Sequence, residues 1–300
     1  MKVKKLLPSG KTSQLILRGF LFLLIFLFCV NIFSESWQDN SVSFTDIESV
    51  RPGWQPFAEG IGYLRGKISQ PQIEFWALMV DLGSPETLIV VKDGMAGQNG
   101  SLSTKVSSFV RDNNLLAGIN AVPFDIASST EGQPIKNLGI IISEGELLSG
   151  ANPYYDAIVF YENKTAQIRR QSEIESPDGI ENAIGGFYSI LADGEPSRRT
   201  SNNTERHPRS AAGVSANGRY LFILVVDGRR SDSIGATEME TALLLKNLGS
   251  SSAINFDGGG SSTLALRYSD GSVRAANSPV HSGIPGRERA VAGCLGVTIR

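Results

Sequence analysis

The chain has 300 residues, 41% hydrophobic and 19% charged, and its 28 basic and 30 acidic side chains give a formal net charge of −2. This composition excludes an intrinsically disordered chain, which would be poorer in apolar residues, and a multi-span membrane protein, because a single run is apolar enough to enter a bilayer. It also lacks the basic excess or basic stripe of a nucleic-acid binder, so no nucleic-acid partner is expected.

The chain opens on Lys2, Lys4, Lys5, Lys11 and Arg18, followed by an unbroken apolar run from Phe20 to Val30. Ser34-Glu35-Ser36 then sets small residues at the spacing that a signal peptidase reads. Residues 1–36 are read as a secretory signal; the alternative is an uncleaved anchor, which would be the chain's one membrane contact. The run is short for a full span, which favours cleavage and export to the periplasm or the extracellular space. Lipidation at Cys29 is disfavoured, because Phe28 stands where a lipoprotein signal wants a small residue. Loss of this segment removes five basic residues and one acidic residue, moving the net charge from −2 to −6. Cys294 is then the remaining cysteine, so no internal disulfide is expected. Its apolar surroundings mark it as a buried small hydrophobe rather than a catalytic thiol.

Residues 37–56 are polar, contain Pro52 and Gly53, and read as a linker or leading arm before a single domain at 57–300. Strands are expected at 62–68, 73–82 and 87–91, with turn residues Gln70-Pro71 and Gly83-Ser84-Pro85 between them. A helix over 104–113 would bury Val106, Phe109 and Val110, and 115–120 reads as a buried strand. Further strands are expected at 139–143, 157–161, 183–191 and 220–226. The segment 195–208, with Arg198, Arg199, Arg206 and His207, reads as a loop beside a site or as a solvated connection. Thr237-Glu238-Met239-Glu240 is a capping box. Met239, Ala242, Leu243 and Leu248 follow at helical spacing, and Gly249 closes the helix. Strands at 253–256 and 290–299 complete the pattern. With no regular βαβ alternation, the expected class is α+β: β-rich mixed sheets with a few helices in one domain.

Three polar clusters stand at strand ends, where a strand fixes a residue and a loop exposes it. They are His207-Pro208-Arg209-Ser210, Val226-Asp227-Gly228-Arg229, and Asn255-Phe256-Asp257-Gly258-Gly259-Gly260-Ser261-Ser262-Thr263. Successive glycines permit left-handed backbone and close approach to a ligand, and their N–H groups would form a nest for a phosphate. No Gly-Lys-Ser/Thr follows, so this is not a Walker loop, and no Gly-x-Ser-x-Gly elbow accompanies His207 or His281. Two distant histidines and one cysteine make no zinc site, and no cofactor is expected. Oxygen chemistry alone would allow calcium at Asp227, Asp232 or Asp257.

Taken in order, Pro208-Arg209, Val226-Asp227-Gly228-Arg229, a Glu-bearing helix, Asn255-x-Asp257-Gly258-Gly259-Gly260-Ser261-Ser262 and Glu288-Arg289-Ala290-Val291 resemble the phosphodiester glycosidase family. The likeness runs from about Ile73 to Val297. One segment departs: the family's Asn-Gly-Gly-Phe-Phe stands here as Asn120-Ala121-Val122-Pro123-Phe124, which implies a pocket of another shape. The resemblance implies an exported hydrolase of sugar-1-phosphodiesters, releasing sugar and a phosphate monoester in carbohydrate or cell-envelope metabolism. Its partner would be a phosphorylated or phosphodiester-linked carbohydrate. A non-catalytic carbohydrate-binding or envelope-assembly protein is the alternative reading of the same pocket.

Such a site holds an anion and stabilises a developing sugar cation. Arginine forks suit phosphate oxygens, which points to Arg209, Arg229 and Arg289, with Gly258, Gly259, Gly260 and Ser261 sharing the load. A phosphate monoester leaves easily because its second pKa is about 6. One carboxylate then suffices where ordinary glycosidases use two. Asp227, Asp257 and Glu240 compete for that role, although Glu240 also completes the capping box. Asn120 and Asn255 would bond sugar hydroxyls or brace loops.

Overall fold

The computed structural model describes residues 40–300 apart from 94, 98, 99, 199, 201 and 202. The signal segment expected at 1–36 lies outside the described residues. The largest sheet runs Ser41–Phe44, Ile61–Ile68, Ile73–Asp81, Tyr220–Val226, Arg209–Val214, Ser252–Asn255, Ser189–Ala192 and Glu195–Pro196, with Gln55–Ala58 also paired to Ile61–Ile68. Ser41–Phe44 joins in parallel while its neighbours pair antiparallel, so the sheet is mixed. A five-stranded sheet runs Glu146–Ser149, Ile141–Ser143, Ile180–Gly185, Asp156–Tyr161, Ala166–Arg170. Another runs Val273–Ala275, Leu264–Arg267, Ala117–Asn120, Cys294–Ile299, Thr87–Lys92. Among the described residues the α-helices are Val106–Asp112 and Glu238–Leu248. The fold is α+β and mostly strand, as its sequence pattern leads one to expect. No helix of the described residues is long and apolar enough to cross a membrane.

The strand Tyr220–Val226 shows why its sequence carries no polar alternation. Phe222, Leu224 and Val226 pack with Ala242, Leu244, Leu245 and Leu248 of the longer helix. Leu221, Ile223 and Val225, on the opposite face, are also buried. A strand covered on both faces has no polar positions, and each buried branched side chain contributes about 1.5–3 kcal/mol.

The longer helix starts as its capping box requires. Thr237 Oγ1 accepts from the Glu240 N–H at 3.1 Å, and Glu240 Oε2 accepts from the Thr237 N–H at 2.9 Å. Its buried face is partly the one read from spacing, since Ala242 and Leu248 are buried. Met239 and Leu243 lie at the half-exposed flank, whereas Glu238, Leu244 and Leu245 are buried. A glutamate takes an inner position here because Tyr188, Asn203 and Arg209 meet its carboxylate.

The stretch read as a linker is part of the sheet. Val42 and Phe44 pack on the core, and Ile47 and Val50 are buried in it. Ser41 and Ser43 are the outward positions of its edge strand, and Asp46 and Ser49 bond each other in the turn that follows. The single strand expected over 183–191 is two strands in different sheets, Ile180–Gly185 and Ser189–Ala192. The chain crosses at Gly186, where a methyl group would lie 2.7 Å from the Asn255 carbonyl oxygen. The last strand starts at Cys294 rather than Ala290. Ala290 and Val291 form isolated bridges to Ser128 and Thr104 instead. Burial pushes the Cys294 thiol well above its ordinary pKa, which keeps it inert.

Candidate active site

The triple-glycine bend leaves Ser252–Asn255 and closes as a single 3-10 turn, Gly259–Ser261. Gly259 sits at φ 62°, a left-handed conformation that side chains disfavour. A methyl group at Gly259 would lie 2.9 Å from Arg229 Nη2, and one at Gly260 would lie 2.6 Å from Arg289 Nη2. Two guanidinium groups therefore press on the bend, and the missing side chains make room for them. Most amides of the bend bond within the fold. Gly259 N–H donates to the Pro208 carbonyl at 2.9 Å, while those of Ser261 and Ser262 fold back to Gly258 and Gly259 at 3.2 and 3.3 Å. The Gly258 amide bonds Asp257. Four amides of the expected N–H nest are thus engaged within the protein, and the arginines are the charged groups at the bend.

Arg289 is oriented from two sides. Its Nη1 donates to Ser261 Oγ at 3.2 Å and its Nε donates to His281 Nδ1 at 3.2 Å. That bond places the histidine's proton on Nε2. Burial, then Arg289, Arg287 and Arg229, hold the His281 pKa below its ordinary value and favour the neutral ring. The segment before Arg289 is anchored where Glu288 Oε2 accepts from the Ser107 N–H at 3.1 Å.

Asp257 is the carboxylate that faces this cluster. It is half-buried as a residue, yet its carboxyl packs against the bend, and that burial raises its pKa. The Ser261 hydroxyl, Arg289 and the Gly258 amide pull the other way. Its backbone is fixed by its own N–H to the Ala121 carbonyl at 2.9 Å and by Asn120 Nδ2 to its carbonyl at 2.6 Å.

Other expected site residues sit elsewhere or serve otherwise. Asn120 is fully buried, and its Oδ1 accepts from Ser210 Oγ at 2.7 Å and the Thr263 N–H at 3.1 Å. It braces the bend and has no group left for a sugar. Glu240 is held in the capping box and in an ion pair with Arg206. Arg209 points its guanidinium at the helix start rather than the bend. Nε donates to the Ala236 carbonyl and Nη2 to the Glu205 carbonyl, both at 3.0 Å, and Nη1 lies 3.6 Å from Glu238 Oε1. Asn255 is buried, with Oδ1 lacking a hydrogen-bond donor. Asp227 is buried and saturated, accepting from Asn277, Ser278 and Arg230. Asp232 is paired with Arg230. Among the described residues no three His, Cys, Asp or Glu side chains gather as a group that could hold a metal ion.

The sequence reading missed the orienting role of His281, and with it Asn277, Ser278 and Glu238. The signal for His281 was faint: it stands with Val280 in a two-residue strand paired to Ile284–Pro285, a hairpin that turns the chain back toward Arg289.

A family profile of phosphodiester glycosidases matches residues 113–298, which takes in the bend, Arg229, His281 and Arg289. The chain belongs to the phosphodiester glycosidase family. Among curated proteins it is 31% identical over 136 residues to the SPbeta prophage-derived uncharacterized protein YomE of Bacillus subtilis (strain 168). That match spans 40% of this chain and 21% of YomE, so the chain covers about a fifth of that relative's length. Among solved structures it resembles a hypothetical protein from Synechocystis, with a TM-score of 0.62 and 16% identity over 84% of this chain and 65% of that one. It also resembles the zebrafish N-acetylglucosamine-1-phosphodiester alpha-N-acetylglucosaminidase catalytic domain auto-inhibited by its pro-peptide. There the TM-score is 0.61, with 21% identity over 85% of this chain and 87% of that one. At these identities the likeness to solved structures is one of fold.

Proposed function

We propose that this family member is an exported hydrolase that cleaves a sugar-1-phosphodiester at the glycosidic bond, giving free sugar and a phosphate monoester. The observation that carries the reading is the meeting of Arg229, Arg289 and Asp257 at the Gly258–Gly260 bend. Two always-charged forks grip the phosphate oxygens, and one carboxylate stands beside them. In the reaction, water attacks the anomeric carbon and gives its proton to Asp257. The carbon–oxygen bond to phosphate breaks, and its electron pair stays on the phosphate oxygen, where Arg229 and Arg289 stabilise the charge. A raised pKa makes Asp257 a stronger base than an ordinary aspartate.

The test is hydrolysis of a nucleoside-diphosphate sugar or an aryl phosphodiester of a sugar in oxygen-labelled water by the domain from residue 40 onward. Label in the sugar, lost in Asp257→Asn, supports glycosidic cleavage. Label in the phosphate would show phosphorus–oxygen cleavage, and binding without release across a panel of diesters would favour the carbohydrate-binding alternative.

A further inference from the structure

Asp227 stands at the exit of Tyr220–Val226, two residues before Arg229, and its carboxylate joins its own loop, through Arg230, to the Asn277–Ser278 segment. Its Oδ1 accepts from Asn277 Nδ2 at 2.8 Å and from the Ser278 N–H at 3.2 Å. Its Oδ2 accepts from the same N–H at 3.0 Å and from Arg230 Nη1 at 2.7 Å. Asn277 passes the connection on. Its Nδ2 also donates to the Ser262 carbonyl at 3.0 Å, and its Oδ1 accepts from the Leu264 N–H at 2.9 Å. Ser278 leads directly to Val280–His281, and His281 accepts from Arg289. One buried carboxylate therefore ties the loop carrying Arg229 to the segment that leads into the hairpin aiming Arg289, and through Asn277 to the exit of the glycine bend.

We infer that Asp227 is a positioning residue whose carboxylate sets the spacing of Arg229 and Arg289, and through it the affinity of the site for a doubly charged oxyanion. The inference rests on the reading of the bend as an oxyanion site. Protonation provides its handle, because a neutral carboxyl loses acceptor strength toward two N–H groups and a guanidinium. Burial pushes the Asp227 pKa up to about 6, against the pull of Asn277, Ser278 and Arg230 and with the push of Glu74. The charged groups acting on it are Arg230 and Glu74. Glu74 comes from the adjacent strand, where Arg65 and Lys67 hold it, and Arg230 is shared with Asp232 and Glu74.

The sign separates this role from its rivals. Protonation of Asp257 removes a negative charge beside the anion, so acidification should tighten binding there. The Asp227 connection predicts the reverse. A folded pKa above the unfolded value also means that Asp227 contributes stability below the unfolded pKa and loses it as pH rises through about 6. Acidification thus lowers affinity while this group's contribution to stability rises, a combination that unfolding does not produce.

The probe is sulfate, which keeps both charges across the range, titrated calorimetrically into the wild-type domain, Asp227→Asn and Asn277→Ala, with melting temperatures alongside. Wild-type affinity is expected to fall about tenfold from about pH 7.5 to about pH 5, the scale of one hydrogen bond to a charged group. Asp227→Asn should bind about tenfold more weakly at the higher pH and show no further acid loss. Asn277→Ala, with nothing titratable changed, should weaken binding throughout and keep the acid loss. Parallel wild-type and Asp227→Asn profiles would overturn the positioning role while leaving the anion site intact. No sulfate binding by wild type at any pH would overturn the anion site and the positioning role together.

Discussion

Asp227 and Asp257 begin from nearly the same text, an apolar strand ending in Asp-Gly, and they end in opposite states. Asp227 gives both oxygens to protein donors and is 1% exposed. Asp257 is half-buried, bonded by a serine hydroxyl and one amide, and faces Arg289, which Ser261 and His281 orient at the bend. A strand exit fixes where such a residue stands. Which partners arrive from fifty residues away decides whether its charge is consumed by the fold or left for chemistry.

The sharpest way to break this contrast is to neutralise each aspartate in turn. Asp257→Asn should lower kcat by about 10²–10⁴-fold, the usual worth of a positioned base, with sulfate binding kept. Wild-type kcat/KM should rise with pH through the raised pKa of Asp257, and that limb should vanish in the variant. If instead Asp227→Asn abolishes turnover with sulfate affinity unchanged, the two roles are exchanged.

Next in size are the two forks. Arg289→Ala and Arg229→Ala should each lower kcat/KM by about 10²–10³-fold, as expected for a lost donor to developing oxyanion charge. Lysine at either position should restore little, because a point charge does not reproduce two parallel donors. Gly260→Ala sharpens the same point without removing charge. Its methyl would overlap Arg289, so a roughly 10- to 100-fold loss in kcat/KM is expected from misplacement alone. Full activity in Gly260→Ala would show that the guanidinium does not need the space the glycine leaves.

Much of the fold was legible because its signals are local. The continuous apolar run at 220–226, the capping box at Thr237 and Glu240, and the glycine string at 258–260 each impose their structure within a few residues. The edge strand Ser41–Phe44 was hidden because half its positions face outward, and the buried Glu238 because a carboxylate is placed inside only by its partners. Tyr188 Oη and Asn203 Nδ2 donate to Glu238 Oε1 at 2.6 and 3.0 Å, from thirty-five or more residues away. The convergence of Arg229 and Arg289 on the glycines was also readable from their motifs. The diversion of Arg209 and the saturation of Asp227 were not, since both depend on contacts that no sequence window contains.

The smallest effect tests whether Glu240 belongs to the helix or to the chemistry. Its carboxylate already accepts from the Thr237 N–H and pairs with Arg206, which leaves it no edge for a substrate. Thr237→Ala removes the other half of the same box and should destabilise the domain by about 1 kcal/mol in chemical denaturation. Glu240→Gln keeps the reciprocal acceptor and should cost less, losing mainly the partly exposed pair with Arg206. Neither substitution should change kcat beyond about twofold, since a cap acts on the folded population rather than on the transition state. A hundredfold fall in kcat for Glu240→Gln, with stability and sulfate affinity intact, would return Glu240 to the reaction. It would then make a second carboxylate beside Asp257, as ordinary glycosidases require.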